Sequence, residues 1–503
     1  MKSIRNSMAR GAAWMVAFKM LDRSLGLLST LILARVLIPK DFGLVAMATS
    51  ITALLELFMA IGLDTALIQR SAATPAHYNA AWTLNAGVGL LIGTGMLVLA
   101  WPASVFYHEP RVLPVICWLA VGALVQGCEN VGVVDFRKEM RFDREFRFLM
   151  GKRVMAFVTT VPLAFALRNY WALVAGMLTS RIGGVALSYA LHPFRPRPSL
   201  AAVADLMHFS KWLVVQNVLA FLKERSADFI IGRFAGPHAL GIFSISAEIA
   251  NMPATELVAP INRAVLPAYA KLAGDKAALR REYLSVMSLI ALLAVPAVAG
   301  FAVSAPFLVP LILGPKWQEA ASIISVLAFF GIIQVLQSNA YSAFLALGRP
   351  QVFVKITAIH VCIELPALVM LTAWFGIVGA VWAYVGAAIL VLPVNFIFIT
   401  RFLELPGREF VSRLWRPICG SALMYGAVHL WGPAAPGGSI PTAQAAGSLT
   451  ACVLLGVPAY VASVTALWFV SGRPSGAEMW LLREIHSRGL RAWMLLRSAF
   501  VRG

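Results

Sequence analysis

Apolar segments of about 20 residues follow one another along the chain, separated by short polar stretches. A helix needs about that length to cross the hydrocarbon core of a bilayer. The segments lack the apolar/polar alternation of membrane β-barrel strands, so the pattern predicts an all-α, polytopic membrane protein. Fourteen spans are predicted, at residues 12–36, 42–69, 78–102, 112–134, 147–167, 170–192, 207–233, 239–264, 283–305, 318–346, 352–374, 377–400, 413–432 and 444–470.

The composition agrees with this prediction, because 60% of the 503 residues are hydrophobic and only 13% are charged. The net charge of +19 suggests nucleic acid at first sight, but most Lys and Arg residues lie in alternate short loops. That distribution follows the positive-inside rule when both termini are cytoplasmic. The charge therefore predicts topology and contact with anionic inner-leaflet lipids, and it predicts no nucleic-acid partner.

The sequence contains no pattern that would supply enzymatic chemistry. It has no P-loop, no nucleophile elbow and no cluster of metal ligands. The five cysteines lie in or beside apolar runs without a CxxC pair, which predicts neither disulfides nor a metal site. We therefore expect a protein that is not an enzyme, has no catalytic residues, needs no cofactor and hydrolyses no ATP.

The motif Arg-x3-Pro-x3-Gly occurs twice, beginning at Arg35 and at Arg233. Six predicted spans separate the copies, so the two halves run parallel through the membrane, as in some transporter folds. The motif itself is interpreted as a tight outer turn after the first span of each half. The predicted organisation is a six-helix bundle at 1–200, a second at 201–405, two further spans at 406–472 and a basic amphipathic cytoplasmic tail at 473–503.

Charged residues occur inside the predicted spans, where a charge is costly and normally faces a protein interior or water. Spans one and seven contain Lys19, Asp22, Arg23, Lys223, Glu224, Arg225 and Asp228. The repeat places Arg225 one helical turn from the position that corresponds to Arg23. We interpret the group as the lining of a hydrated cleft that binds an anion, since arginine offers bidentate geometry to phosphate.

Internal pairing is the alternative interpretation of the same charges. It would join Asp22 to Lys19, and Arg225 to Glu224 or Asp228.

Gating or ion coupling is predicted for a second group of intramembrane charges. His360 and Glu364 stand four residues apart, as a proton-responsive pair or a structural hydrogen bond would. The group comprises Glu56, Asp64, Arg263, His360 and Glu364.

Four stretches resemble the Wzx-type polysaccharide flippases, in the polysaccharide transport branch of the MOP exporter superfamily. The stretches are residues 33–44, 62–70, 209–212 and 225–233, and the similarity extends over roughly residues 10 to 400. The resemblance implies two six-helix bundles around a central cationic cavity that works by alternating access. It implies translocation of undecaprenyl-diphosphate-linked oligosaccharide across the bacterial inner membrane for O-antigen, capsule or exopolysaccharide.

The resemblance also has implications for residues and partners. By analogy with the lipid II flippases, which use basic residues in the first span, it places Arg23, with Asp22 beside it, at the substrate diphosphate. It implies coupling to an ion gradient, and a polysaccharide polymerase and chain-length proteins as candidate partners.

Two other functions are compatible with parts of the pattern. An ion-coupled multidrug exporter of the same superfamily would need an excess of acidic residues in its cavity, whereas the basic residues here offset the acidic ones. A membrane polysaccharide polymerase or ligase would need a sizeable outer loop with catalytic charges, and the longest outer loop, 432–442, has none.

Overall fold

The computed structural model describes residues 2–58, 66–68, 70, 73–203, 211–434, 440–474 and 476–479. All regular elements in these residues are helical, which confirms the all-α prediction. The helices are α1 (Lys2–Val36), α2 (Pro39–Phe58), α3 (Pro75–Tyr107), α4 (Val112–Gly127), α5 (Asp135–Lys138), α6 (Phe142–Leu167), α7 (Trp171–Leu191), α8 (Lys211–Leu272), α9 (Lys276–Ile312), α10 (Gln318–Ala346), α11 (Pro350–Leu403), α12 (Gly407–Trp431) and α13 (Thr442–Val470), with 3-10 turns at Val131–Val134 and Pro315–Trp317. Most of the predicted tail, from residue 480 onward, lies outside the described residues.

Eight helices in the described part are long and apolar enough to cross a membrane, or nine if α4 and the bent segment after it form one span. The protein is therefore a multi-pass membrane protein, as predicted. Helix α1 is not among the eight, because Lys19, Asp22 and Arg23 interrupt its apolar run. The two longest helices, α8 and α11, are broken at Gly236 (φ 79°) and Gly376 (φ 59°), where a positive φ favours glycine. Each break falls between two of the predicted spans.

The chain divides into two compact units. Unit 1 comprises Met1–Ser244 and Thr372–Ile377, and unit 2 comprises Ile245–Leu371 and Val378–Gly503. Within unit 1, α3 packs on α4, α6 packs on α7, and α1 packs on α6. Within unit 2, α9 packs on α10 and α12, and α12 packs on α13.

The packing of α1 on α6 follows from one periodic face of α1. The rings of Trp14 and Phe146 lie 4.9 Å apart, and Gly11 leaves room for the ring of Phe142. Further along both helices, Leu33 and Ala164 belong to one buried apolar cluster. Residues three, four or seven apart on a helix share a face, so the same face of α1 also presents Asp22 to α6.

Both copies of the repeated motif form a tight turn. In the first copy, two residues separate α1 from α2, Pro39 begins α2, and the Asp41 carboxylate accepts the N–H of Ile38 (3.2 Å). Proline suits the first helical position, since its missing N–H has no partner there in any helix. In the second copy Gly236, with its positive φ, precedes Pro237, and the helix resumes at once. The turn predicted from the motif is thus present in both copies.

The glycines of the two motifs mark a close backbone crossing within unit 1, which the sequence pattern alone does not reveal. A Cβ atom on Gly43 would lie 1.7 Å from the carbonyl oxygen of Pro237, and one on Gly241 would lie 1.8 Å from that of Pro39. The two contacts are reciprocal, as expected for two copies of a motif related by a two-fold axis. Only a residue without a side chain permits this approach, which explains the glycine in each motif.

Replacing Gly43 by alanine is expected to destabilise unit 1. The new methyl would meet a backbone carbonyl that cannot rotate away, so the cost should reach the upper end of the roughly 1–3 kcal/mol typical of overpacking. Thermal unfolding of the purified protein in detergent measures this loss. Gly87→Ala is the matched control, because a Cβ at helical Gly87 has no neighbour within 4 Å. Equal melting temperatures for the two variants would refute the close crossing.

Candidate functional site

An ion pair joins the charged face of α1 to α6. Arg153 Nε lies 3.0 Å from Asp22 Oδ1, and both side chains are 42% exposed. Asp22 therefore meets a residue of another helix, whereas the spacing along α1 indicated Lys19, which is exposed. One turn further along α1, Gly26 makes room for the guanidinium, since a Cβ there would lie 2.5 Å from Arg153 Nη2.

Arg153 is absent from the substrate residues predicted from sequence. It lies in the predicted span 147–167, but close to the basic loop before that span. From the sequence it therefore counts among the loop cations of the positive-inside pattern. The signal that could have identified it is helical phase. Arg153 stands seven residues after Phe146, which packs on the same face of α1 through Trp14.

A second ion pair lies on α8, in the counterpart of the first span. Arg225 Nη1 donates to Asp228 Oδ2 at 3.2 Å, with side chains 46% and 12% exposed. The pairing of Arg225 with Asp228, one of the two partners considered from spacing, is thus present. Of the neighbouring predicted residues, Lys223 is half-buried and Glu224 is exposed.

The first half of α8 is held against α2 and α3 by aromatic contacts. The ring of Phe229 stacks on that of Tyr107 at 6.4 Å, and the Tyr107 hydroxyl lies 2.7 Å from Ser50 Oγ. Phe229 follows Asp228 directly, so these contacts fix the helix at the position of the ion pair.

The two ion pairs lie at similar depth relative to the two motif turns. Asp22 and half-buried Arg23 precede the end of α1 by 14 and 13 residues, and Arg225 precedes the break at Gly236 by 11. At 1.5 Å per residue these separations correspond to about 17–21 Å along the helix axes. The cationic residues of the two repeats thus occur at corresponding levels of their helices.

A third ion pair in unit 1 connects α2 with α7. Arg181 Nη2 lies 3.5 Å from Glu56 Oε1, and the side chains are 22% and 50% exposed. Glu56 is therefore in contact with a cation, whereas Asp64, predicted in the same group, lies outside the described residues.

In unit 2 the structure brings His360 and Glu364 together. His360 Nε2 lies 2.8 Å from Glu364 Oε2, and the side chains are only 4% and 1% exposed. The contact lacks hydrogen-bond geometry, because the imidazole Nε2 and both carboxylate oxygens of Glu364 are buried without a hydrogen-bond partner in the described residues. Arg263 is exposed on the second half of α8. The described residues contain no group of three or more His, Cys, Asp and Glu side chains that could hold a metal ion.

Two titratable groups beside the helix ends of unit 1 have shifted pKa values. Burial lowers the pKa of His192, although Asp135, with Oδ2 at 3.4 Å from the imidazole Nε2, acts in the opposite direction. Bidentate hydrogen bonds from Arg111, at 2.8 and 2.9 Å, lower the pKa of the Glu109 carboxyl. Burial thus favours the neutral imidazole of His192, and the Arg111 contact favours the ionised carboxylate of Glu109.

The described helices have the fold of multi-pass helical transporters, as two solved structures indicate. The structure of the lipid II flippase MurJ in an inward closed conformation aligns with 92% of this chain and 100% of its own, with a TM-score of 0.68 and 9% identity. An inward-facing MATE multidrug transporter of the MOP superfamily aligns with 76% of this chain and 95% of its own, with a TM-score of 0.57 and 16% identity.

Within this class, the chain belongs to the family described as "Polysaccharide biosynthesis protein", which matches residues 32–322. The lipopolysaccharide biosynthesis protein WzxC of Escherichia coli (strain K12) is 23% identical over 424 residues, 82% of this chain and 85% of the relative. The succinoglycan biosynthesis transport protein ExoT of Rhizobium meliloti (strain 1021) is 22% identical over 324 residues, 64% of this chain and 66% of the relative. These findings confirm the resemblance to the polysaccharide flippases.

The buried pair His360–Glu364 yields a stability prediction. His360→Leu would leave a buried carboxylate without its partner, at a cost of about 3–5 kcal/mol, whereas replacing both residues by leucine should be close to neutral. Thermal unfolding of the single and double variants measures the difference. Lys276→Ala, at the exposed Lys276–Glu404 pair, is the control and should have little effect. A double variant as unstable as the single one would contradict the interpretation as a coupled pair.

Proposed function

We propose that the protein is a flippase that moves undecaprenyl-diphosphate-linked oligosaccharide repeat units across the bacterial inner membrane for surface-polysaccharide biosynthesis. The observation that carries this proposal is the family match over residues 32–322. The fold shared with a lipid II flippase supports it, because lipid II is itself a lipid-linked saccharide. In this proposal the protein transports its substrate across the membrane and catalyses no chemical reaction.

The proposed architecture has fourteen spans, with six-helix bundles at 1–200 and 201–405, two added spans at 406–472, and both termini in the cytoplasm. The breaks at Gly236 and Gly376 support separate spans within α8 and α11. The basic tail, 473–503, would lie on the anionic inner leaflet. Polymerase and chain-length proteins of the same pathway are the proposed protein partners.

In the proposed mechanism, the lipid diphosphate enters from the inner leaflet and meets Arg23 and Arg225 in a central cationic cavity. Arginine binds phosphate through two parallel hydrogen bonds, which orients as well as attracts the group. The half-exposed state of Arg225 supports this role, since a guanidinium closed off from water could not receive a phosphate. Lys19 and Lys223 add positive charge, while Asp22, Glu224 and Asp228 balance the cations when the cavity is empty.

Ion coupling is proposed for the second group of charges. His360 and Glu364, 2.8 Å apart and buried in unit 2, are the proposed proton-responsive pair. Glu56, Asp64 and Arg263 are the proposed gating residues, and the contact of Glu56 with Arg181 on α7 supports this role for Glu56.

Drug export is the second candidate, because the MATE transporter shares the fold. The excess of cationic side chains on α1 favours an anionic substrate instead, as does the family match.

Arg23→Ala and Arg225→Ala should each abolish surface polysaccharide in cells that depend on this protein, with protein level unchanged. Each replacement removes a bidentate phosphate contact, which a lysine nearby would not reproduce. Gel analysis of the polysaccharide and immunoblotting of the protein measure the two quantities. Arg141→Ala is the control, since the exposed Arg141 pairs with exposed Glu139. Normal polysaccharide in both test variants would reject the assignment of the cavity.

A further inference from the structure

Arg153 has the properties of a substrate contact, although neither the repeat nor the motifs single it out. It lies 14 residues before the end of α6, which is about 21 Å along the helix axis and similar to the distance of Asp22 from the end of α1. The Arg153 side chain remains 42% exposed although it pairs with Asp22, and a charge on a membrane helix normally faces water or a polar path.

The contact with Asp22 uses only part of the hydrogen-bonding capacity of Arg153. Its Nε lies against Asp22 Oδ1, while Nη2 lies along α1 beside Gly26. A guanidinium has five N–H donors in a planar fork that matches phosphate. The side chain is therefore positioned by α1 and retains donors for an anion.

The Asp22–Arg153 ion pair can also be replaced by a pair between Arg153 and a bound anion. Both side chains are half-exposed, and ion pairs of that kind contribute little net stability. A diphosphate carries more negative charge than one carboxylate and binds guanidinium in bidentate fashion. Because Gly26 has no side chain, the guanidinium can lie along α1 and change partner without a steric barrier.

We propose that Arg153 is a third cationic contact for the substrate diphosphate, and that Asp22 is the counter-ion that the diphosphate displaces. In the empty protein, Asp22 neutralises Arg153 and holds it beside α1. On binding, the diphosphate takes the guanidinium and Asp22 turns to water. On release, Asp22 recaptures Arg153, which assists dissociation. This inference rests on the proposed function and adds α6 to the substrate site.

The test is binding of undecaprenyl diphosphate to the purified full-length protein in detergent, with undecaprenol as the blank. Arg153→Ala should weaken binding roughly tenfold to hundredfold, as expected for the loss of a charged hydrogen-bond partner. Arg153→Lys, which keeps the charge and loses the fork, should fall between. Asp22→Asn should tighten binding about twofold to fivefold, because it removes the competing carboxylate.

Arg147→Ala is the matched control, because Arg147 lies on the same helix and pairs with Asp143 at 3.0 Å on the exposed surface. It should bind like the unaltered protein. The opposite signs for Arg153 and Asp22 are the decisive result, since a purely structural ion pair would shift both variants in the same direction. If Arg153→Ala does not fold, the tighter binding expected for Asp22→Asn still tests the inference.

Unchanged binding in Arg153→Ala, or weaker binding in Asp22→Asn, would overturn the inference and leave the proposed function intact, provided that Arg23→Ala still loses binding. Failure of the unaltered protein to bind undecaprenyl diphosphate better than undecaprenol would overturn the proposed function and the inference with it.

Discussion

A charge inside a membrane helix must meet an opposite charge or water, and this constraint determines where the charged residues of this protein lie. Asp22 on α1 meets Arg153 on α6, and Arg225 meets Asp228 on α8. These pairs are half-exposed on at least one side, whereas His360–Glu364 in unit 2 is fully enclosed. Exposed pairs can exchange partners with an anion, while an enclosed pair is closed off from such an exchange. In the proposed mechanism, the exposed pairs serve substrate binding and the enclosed pair serves ion coupling.

The constraint on charges acts together with a constraint on the backbone. Gly43 and Gly241 let the two copies of the motif approach until each glycine touches the carbonyl of the other copy's proline. This contact joins α2 to the second half of α8 inside unit 1. The helix segments that carry the ion pairs end at these two turns. The glycine crossing therefore holds the ends of both segments in place.

The sequence allowed prediction of the all-helical, multi-pass fold, since length and polarity suffice to recognise a membrane span. Spacing along one helix also predicted the Arg225–Asp228 and His360–Glu364 contacts. It could not predict that Arg153 meets Asp22, because this contact depends on which face of α6 packs on α1. Nor could it predict the reciprocal glycine crossing, which joins residues far apart in the chain. Contacts within one helix can be predicted from its periodicity. Contacts between helices can be predicted only when it is known how the helices pack.

The central claim is that the protein moves a lipid-linked oligosaccharide across a membrane. The most direct measurement uses purified protein in liposomes whose inner leaflet contains undecaprenyl-diphosphate-linked oligosaccharide, with an external enzyme that cleaves only exposed sugar. The account predicts that the protein makes the inner pool accessible, whereas protein-free liposomes retain it. Accessibility equal to that of protein-free liposomes, under each imposed proton or sodium gradient, would contradict the account.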